Sequence, residues 1–333
     1  MNPGTWSIAG LAGQRLLVGF EGVRFDPELR ALIRSFQPAG VILFRRNIET
    51  PGQVRELTAA LQDFAAGIGI PPLFVAVDQE GGRVARLPPP FTQFPETPPI
   101  ASLAEAERFA AITAAELGAV GINMNLAPVL DVAPAGFGSV MEGRALGSDP
   151  QAVARLGVAV IRGLQSRGIL SVAKHFPGIG RTRLDSHEDL PVLAEDLDGL
   201  ESCELPPFRA AVACGAAGIM ISHVLYPRLD AQCPASLSAA VARGLLRQRL
   251  GYGGLALTDD LNMGAVARVF SLEEAVRRAF RAGVDLLLVC RGTERIARAH
   301  AVLVAELQRG EARMRESAFE SIERILAAKR VLA

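Results

Sequence analysis

The chain has 333 residues, 50% of them hydrophobic and 21% charged, which supplies a continuous core and excludes a disordered protein. Lys plus Arg balances Asp plus Glu at 35 each, so no global field draws it to nucleic acid or to an anionic membrane surface. Cys203, Cys214, Cys233 and Cys290 show no C-x-x-C spacing and read as free thiols in a reducing compartment, not as a disulfide frame or a zinc knuckle.

At the N-terminus, "MNPGTWSIAGLAGQRLLVGF" lacks a basic start ahead of its apolar run. No apolar stretch approaches the roughly 20 residues of a membrane span, so a cytoplasmic protein is expected. Short apolar, β-branched runs then recur: "LLVGF" from Leu16, "GVILF" from Gly40, "LFVAVDQ" from Leu73 and "INMNLAPVLD" from Ile122. They continue with "LSVAKHF" from Leu170, "GIMISHV" from Gly218, "GLALTDD" from Gly254 and "VDLLLVC" from Val284. Between them lie segments such as "TPGQVRELTAALQDFAAG", "SLAEAERFAAITAAELGAVG" and "SLEEAVRRAFRAG", opening on Ser or Thr and closing on Gly as capped helices do. Eight strands alternating with helices predict an α/β chain closed into a (β/α)8 barrel, a fold of about 250 residues plus insertions. A doubly wound open sheet would carry a glycine-rich phosphate loop after an early strand, and "DQEGGRV" is not that fingerprint. The barrel is expected over about residues 15–290. Two further helical segments, over about 292–330, close the same single domain. His300, among Ala and Val in the first of them, reads as a packed or helix-surface histidine.

Barrel enzymes carry their sites on the loops at the C-terminal ends of the strands. Here the third strand ends in Asp78-Gln79-Glu80, the fourth in Asp131, the fifth in Lys174-His175, the sixth in His223 and the seventh in Asp259-Asp260. Five consecutive strands with polar ends mark one rim as the candidate site. The proline-rich stretch after the third strand, "RLPPPFTQFPETPP", is expected to be an ordered surface connection. The connection after the fifth strand, from about Phe176 to Asp196, exceeds the roughly 2–6 residues of an ordinary βα loop. It holds Asp185 and His187 two residues apart, and Pro177, Gly178 and Gly180 permit a hinge. His175, His223 and Asp259 are also residue types that could ligate a metal. Such a site would want histidines after the first strand, where "LLVGFEG" has none, so neither metal nor cofactor is expected.

Four segments in order, "VDQEGGRVARL" (Val77 to Leu87), "NLAPVLDV" (Asn125 to Val132), "KHFPGIGRTRLDSHEDLP" (Lys174 to Pro191) and "LTDDLNMGAV" (Leu257 to Val266), resemble the family 3 glycoside hydrolases. The likeness is to the single-domain bacterial β-N-acetylhexosaminidases of cell-wall recycling. It implies a retaining exo-glycosidase that removes terminal β-linked N-acetylglucosamine from peptidoglycan-derived fragments through a glycosyl-aspartate. It further implies Asp259 as nucleophile, an Asp185-x-His187 acid/base pair on a mobile loop, and glycoside binding by Asp78, Arg86, Arg144, Lys174 and His175. The partner is then an oligosaccharide, with no nucleic acid, no membrane, and a monomer as the working expectation.

The chemistry accords with that assignment. A retaining glycosidase needs a nucleophilic carboxylate and, about 5–5.5 Å away, a group that first gives and then takes a proton. Histidine, with an ordinary pKa of about 6.5, fills both states near neutrality, and a neighbouring carboxylate would fix its tautomer. Asp259 and Asp260 point to opposite sides of their strand. The family's aspartate follows a Ser or Thr, as Asp259 follows Thr258, so Asp260 is expected to bond to backbone or to a helix start. Glu80 and Arg83 are expected to form a structural ion pair or brace their loop, and His223 either lines the pocket or packs beneath it. Two positions depart from the family pattern. Ile179 stands where a second histidine is common, and Ala145 is smaller than usual. Two alternatives stay open: transfer of the sugar to phosphate on the same scaffold, since a neutral histidine base does not repel an anion, and, less favoured, a metal-dependent barrel hydrolase; a non-catalytic sugar-binding barrel would be expected to have lost Asp259, Asp185 or His187, and all are present.

Overall fold

The computed structural model describes residues 6–95, 100–186, 189–309 and 312–332. Eight parallel strands close into a barrel: β1 (Leu16–Val18), β2 (Gly40–Leu43), β3 (Phe74–Val77), β4 (Met124–Asn125), β5 (Leu170–Phe176), β6 (Gly218–Ile221), β7 (Leu255–Asp260) and β8 (Leu286–Val289). Each strand pairs with its sequence neighbours, and β8 returns to β1. Strand residues alternate between two environments. Leu17, Ile42, Phe74, Ala76, Met220, Leu257 and Leu288 fill the barrel interior. Leu16, Val41, Val75, Val77, Ile219, Ala256 and Val289 pack outward beneath the helices. Both faces are therefore apolar, which is why the strands read as continuous hydrophobic runs.

The connecting helices start where side chains can cap them. Thr50, Ser102, Asp149 and Ser271 accept hydrogen bonds from the first-turn N–H groups of the helices Pro51–Gly67, Leu103–Ala119, Pro150–Gln165 and Leu272–Ala282. Gly40 is needed for close approach, since a Cβ there would lie 2.2 Å from the Phe74 carbonyl oxygen of the adjacent strand.

β4 is shorter than its ten-residue apolar run predicts. Pro128 has no N–H to give to the ladder, and pairing resumes only as a bridge between Val129 and Lys174. Past β3, the chain leaves the barrel to make a small hairpin of Gln79–Gly81 against Val84–Ala85. The Gln79 side chain pins it by accepting from the N–H groups of Arg86 and Leu87. The helices Thr293–Arg309 and Ala312–Lys329 follow β8, and Ile322 and Ile325 of the second pack against the interior layer from the N-terminal end of the barrel. His300 packs as expected: Nε2 lies 2.9 Å from the Ala9 carbonyl oxygen and its ring meets Phe36. Among the described residues, no helix is long and apolar enough to cross a membrane.

Candidate active site

A cavity of about 600 Å³ opens at the C-terminal ends of the strands. Asp78, Glu80, Arg86, Arg144, Lys174, His175, Asp185 and Asp259 all line it.

Its wall is an ion-paired array. Lys174 Nζ lies 2.6 Å from Asp78 Oδ1 and 2.7 Å from Glu80 Oε1, while Arg144 grips both oxygens of Glu80 at 2.8 and 3.0 Å. Burial alone would raise the Glu80 pKa, but Lys174 and Arg144 outweigh it and bring the carboxyl down from 4.5 to about 2. For Lys174, burial pulls toward the neutral amine, and the charges of Asp78 and Glu80 overcome it and raise the pKa. Arg86 reaches toward Asp78 at 3.5 Å and lies over the Phe44 ring.

Lys174 and His175 are consecutive, yet both face the cavity. The register explains this: Ala173 pairs with Ile219 and Phe176 with Ile221, so β5 spends three steps where β6 spends two, and such a bulge re-aims side chains. His175 Nδ1 sits 2.7 Å from Asp131 Oδ2. The other oxygen of this fully buried carboxylate accepts from the Ile179 N–H at 2.7 Å. Asp131 thereby holds both the imidazole and the root of the long loop after β5.

The two adjacent carboxylates at the end of β7 differ in their partners. Asp260 Oδ1 accepts from the backbone N–H groups of Asn262 and Cys290 and from the Asn262 amide. Burial nonetheless raises its pKa. Asp259 is half-buried and accepts from the Asp260 N–H at 2.8 Å. Desolvation opposes its ionisation, but the neighbouring imidazoles of His223 and His175, that N–H and Lys174 together outweigh it and lower its pKa.

The long loop is fastened at its root. Arg181 pairs with Glu204 at 2.5 and 2.6 Å and with Glu195 at 2.9 Å, and the Tyr226 hydroxyl donates to the Gly178 carbonyl. Farther along, Asp185 and Ser186 line the cavity, and the Ser186 carbonyl accepts from the Ala265 N–H. His187 and Glu188 lie outside the described residues.

The family model for the N-terminal domain of glycosyl hydrolase family 3 matches residues 12–328. The chain belongs to glycosyl hydrolase family 3. It is 37% identical over 301 residues to a β-hexosaminidase from Nitrosospira multiformis, covering 88% of this chain and 83% of that one. A β-hexosaminidase from Thiobacillus denitrificans is 40% identical over 291 residues, covering 84% and 79%. The structure of a family 3 β-N-acetylglucosaminidase from Paenibacillus sp. str. FPU-7 superposes with a TM-score of 0.93 at 37% identity. That match takes in 99% of this chain but only 64% of the Paenibacillus chain. A β-N-acetylhexosaminidase from Beutenbergia cavernae gives a TM-score of 0.85 at 31% identity, with 98% and 99% covered.

In this family 3 hydrolase, Asp78, Arg86, Arg144, Lys174, His175, Asp185 and Asp259 share one cavity, as the sequence pattern anticipates. One expectation needs revision, and one open choice is decided. Glu80 does not pair with Arg83 but stands between Lys174 and Arg144, whereas Arg83 donates to the Glu142 carbonyl. The reason is direction: within the hairpin Glu80 faces the cavity, and Arg83 sits at the exposed turn. His223 is the packed alternative, 1% exposed. Asp131, visible in the sequence only as a polar strand end, carries a larger positioning role than its isolated position announced.

Proposed function

We propose that this glycoside hydrolase is a retaining exo-acting β-N-acetylhexosaminidase in which Asp259 is the nucleophile and the Asp185–His187 pair supplies acid/base catalysis. One contrast carries the choice of nucleophile: both carboxylates line the cavity, but Asp260 spends Oδ1 on Cys290 and Asn262 and has its pKa raised by burial, while the Asp259 pKa is lowered, as an ionised nucleophile requires. The glycoside is held by Asp78, Arg86, Arg144, Lys174 and His175, whose charges and donors suit the reading of hydroxyl pairs.

In the first step an Asp259 oxygen bonds to the anomeric carbon. The bond to the leaving oxygen breaks, and that oxygen takes the His187 proton. In the second, neutral His187 removes a proton from water, whose oxygen displaces Asp259 with net retention. The β-hexosaminidase and β-N-acetylglucosaminidase relatives support terminal N-acetylglucosamine as the sugar removed. Peptidoglycan-derived fragments, cut in the cytoplasm by a monomer, are the proposed setting.

The test is a panel of aryl β-glycosides with and without the 2-acetamido group, each assayed with and without phosphate. Release of free N-acetylglucosamine, indifferent to phosphate and strongest on the acetamido substrates, supports the reading. Phosphate-dependent sugar phosphate would convert it to phosphorolysis, and equal turnover of glucosides would remove the hexosaminide assignment.

A further inference from the structure

We infer that His223, with Ser236 behind it, is a positioning residue for the nucleophile, an inference that rests on Asp259 filling that role. His223 does not contact the cavity, yet it is tied to the nucleophile's strand. Its Nε2 lies 3.0 Å from the Asp260 carbonyl oxygen and its Nδ1 lies 2.7 Å from Ser236 Oγ. A carbonyl can only accept, so Nε2 carries the proton. Nδ1 in a neutral ring is then an acceptor, and the Ser236 hydroxyl donates to it. Both residues are buried, at 1% and 0% exposure, and burial lowers the His223 pKa, which favours the neutral ring that this bonding pattern suits.

The consequence falls on Asp259. Asp260 is held at three points: its carbonyl by His223, its carboxylate by Asn262 and Cys290, and its N–H by Asp259 Oδ1. The N–H that orients the nucleophile is therefore fixed by a residue whose carbonyl His223 anchors. Ser236 comes from the connection between β6 and β7, in the short 3-10 turn Ala235–Leu237. Its own N–H donates to the Ser222 carbonyl at 3.0 Å, which fixes the backbone that carries the hydroxyl.

The experiment compares His223→Ala, His223→Gln, Ser236→Ala and Asp259→Asn in the full chain. A misplaced reacting group costs on the order of 10²-fold in rate, so His223→Ala should lower kcat by about that factor while the inhibition constant of free N-acetylglucosamine stays unchanged. A glutamine amide can donate from the Nε2 position, so His223→Gln should recover most of kcat, and Ser236→Ala should lose less than His223→Ala. Should His223→Ala fail to fold, the glutamine and Ser236 variants still decide, because kcat reduced in Ser236→Ala at constant inhibitor affinity requires the positioning role. The inference is overturned if all three keep kcat within about twofold, or if sugar affinity falls in step with kcat. Asp259→Asn is the separate control: its survival as an active enzyme would remove the nucleophile assignment itself, whatever His223 does.

Discussion

The two ends of the barrel both bury charge, and the candidate site lies at only one of them among the described residues. At the C-terminal end, Asp78, Glu80, Lys174 and Arg144 interlock beside Asp259. Toward the other end, Asp285, just ahead of β8, takes Arg324 on one oxygen and Arg247 and the Ala256 N–H on the other, and Arg15 donates to its carbonyl. Among the described residues each network leaves one buried guanidinium Nε without an acceptor, Arg86 above and Arg247 below, so orphaned donors do not tell them apart. The distinction lies in the carboxylates. Asp285 is fully buried with both oxygens committed to holding strand, helix and N-terminal segment together, whereas Asp259 is half-buried on a cavity wall. Buried charge by itself marks a structural knot as readily as a catalytic centre.

Substitutions should separate the two ends by what they change. The largest effect is expected from Asp259→Asn, with kcat down by about 10⁴–10⁶-fold and the unfolding transition unmoved. If Asp260→Asn were the dead variant instead, the nucleophile would be one residue along. His187→Ala should come next. With a sugar leaving group it should lose the ~10²–10⁴ of a general acid, while a dinitrophenyl glycoside should still give a burst of phenol and a turnover that azide accelerates. Equal slowing of both leaving groups, with no response to azide, would make His187 a binding residue and reopen the search along the rim.

Asp285→Ala tests the other end. Removing one partner of a buried pair costs about 3–5 kcal/mol, so its denaturation midpoint should drop steeply while kcat of the folded fraction matches the parent. A kcat defect at temperatures where the variant is fully folded would erase the contrast between the ends.

The smallest effect concerns Glu80. Its folded pKa, about 2, lies below its ordinary 4.5, so the unfolded chain binds the proton first and this contribution to stability fades as pH falls from about 4.5 toward 2. Glu80→Gln should therefore be less stable than the parent above pH ~5, with the gap narrowing through that window in denaturation curves taken across pH. A gap that stays constant would mean that the Lys174–Glu80–Arg144 array does not hold Glu80 ionised.

Much of this was legible in the residues. Alternating βα runs specified the barrel, and polar residues at five consecutive strand ends located the rim. The four segment likenesses pointed to Asp259 and to the proposed glycoside-binding residues, which the cavity brings together. Less legible were the partners. Glu80 lay closest in sequence to Arg83, yet the residue that meets the same Lys174 as Glu80 is Asp78, 96 residues from that lysine. The β5 bulge, which turns Lys174 and His175 to the same side, left no signature in "LSVAKHF" because register is a property of two strands. Nor did Pro128 in "INMNLAPVLD" prevent an overlong strand reading.

The sequence by itself determined the element pattern, the chemical types at each strand end and the membership those motifs announce, since periodicity, caps and side-chain chemistry are local. Only the tertiary structure decided which carboxylate is tied to β8 and the loop after β7, that His223 serves the neighbouring backbone from beneath, and that Asp131 joins His175 to the loop root. Those outcomes depend on directions in space. Two adjacent residues with the same carboxylate, Asp259 and Asp260, both line the cavity yet acquire different partners, because closing the barrel sets the β8 end and the loop after β7 against Asp260 Oδ1.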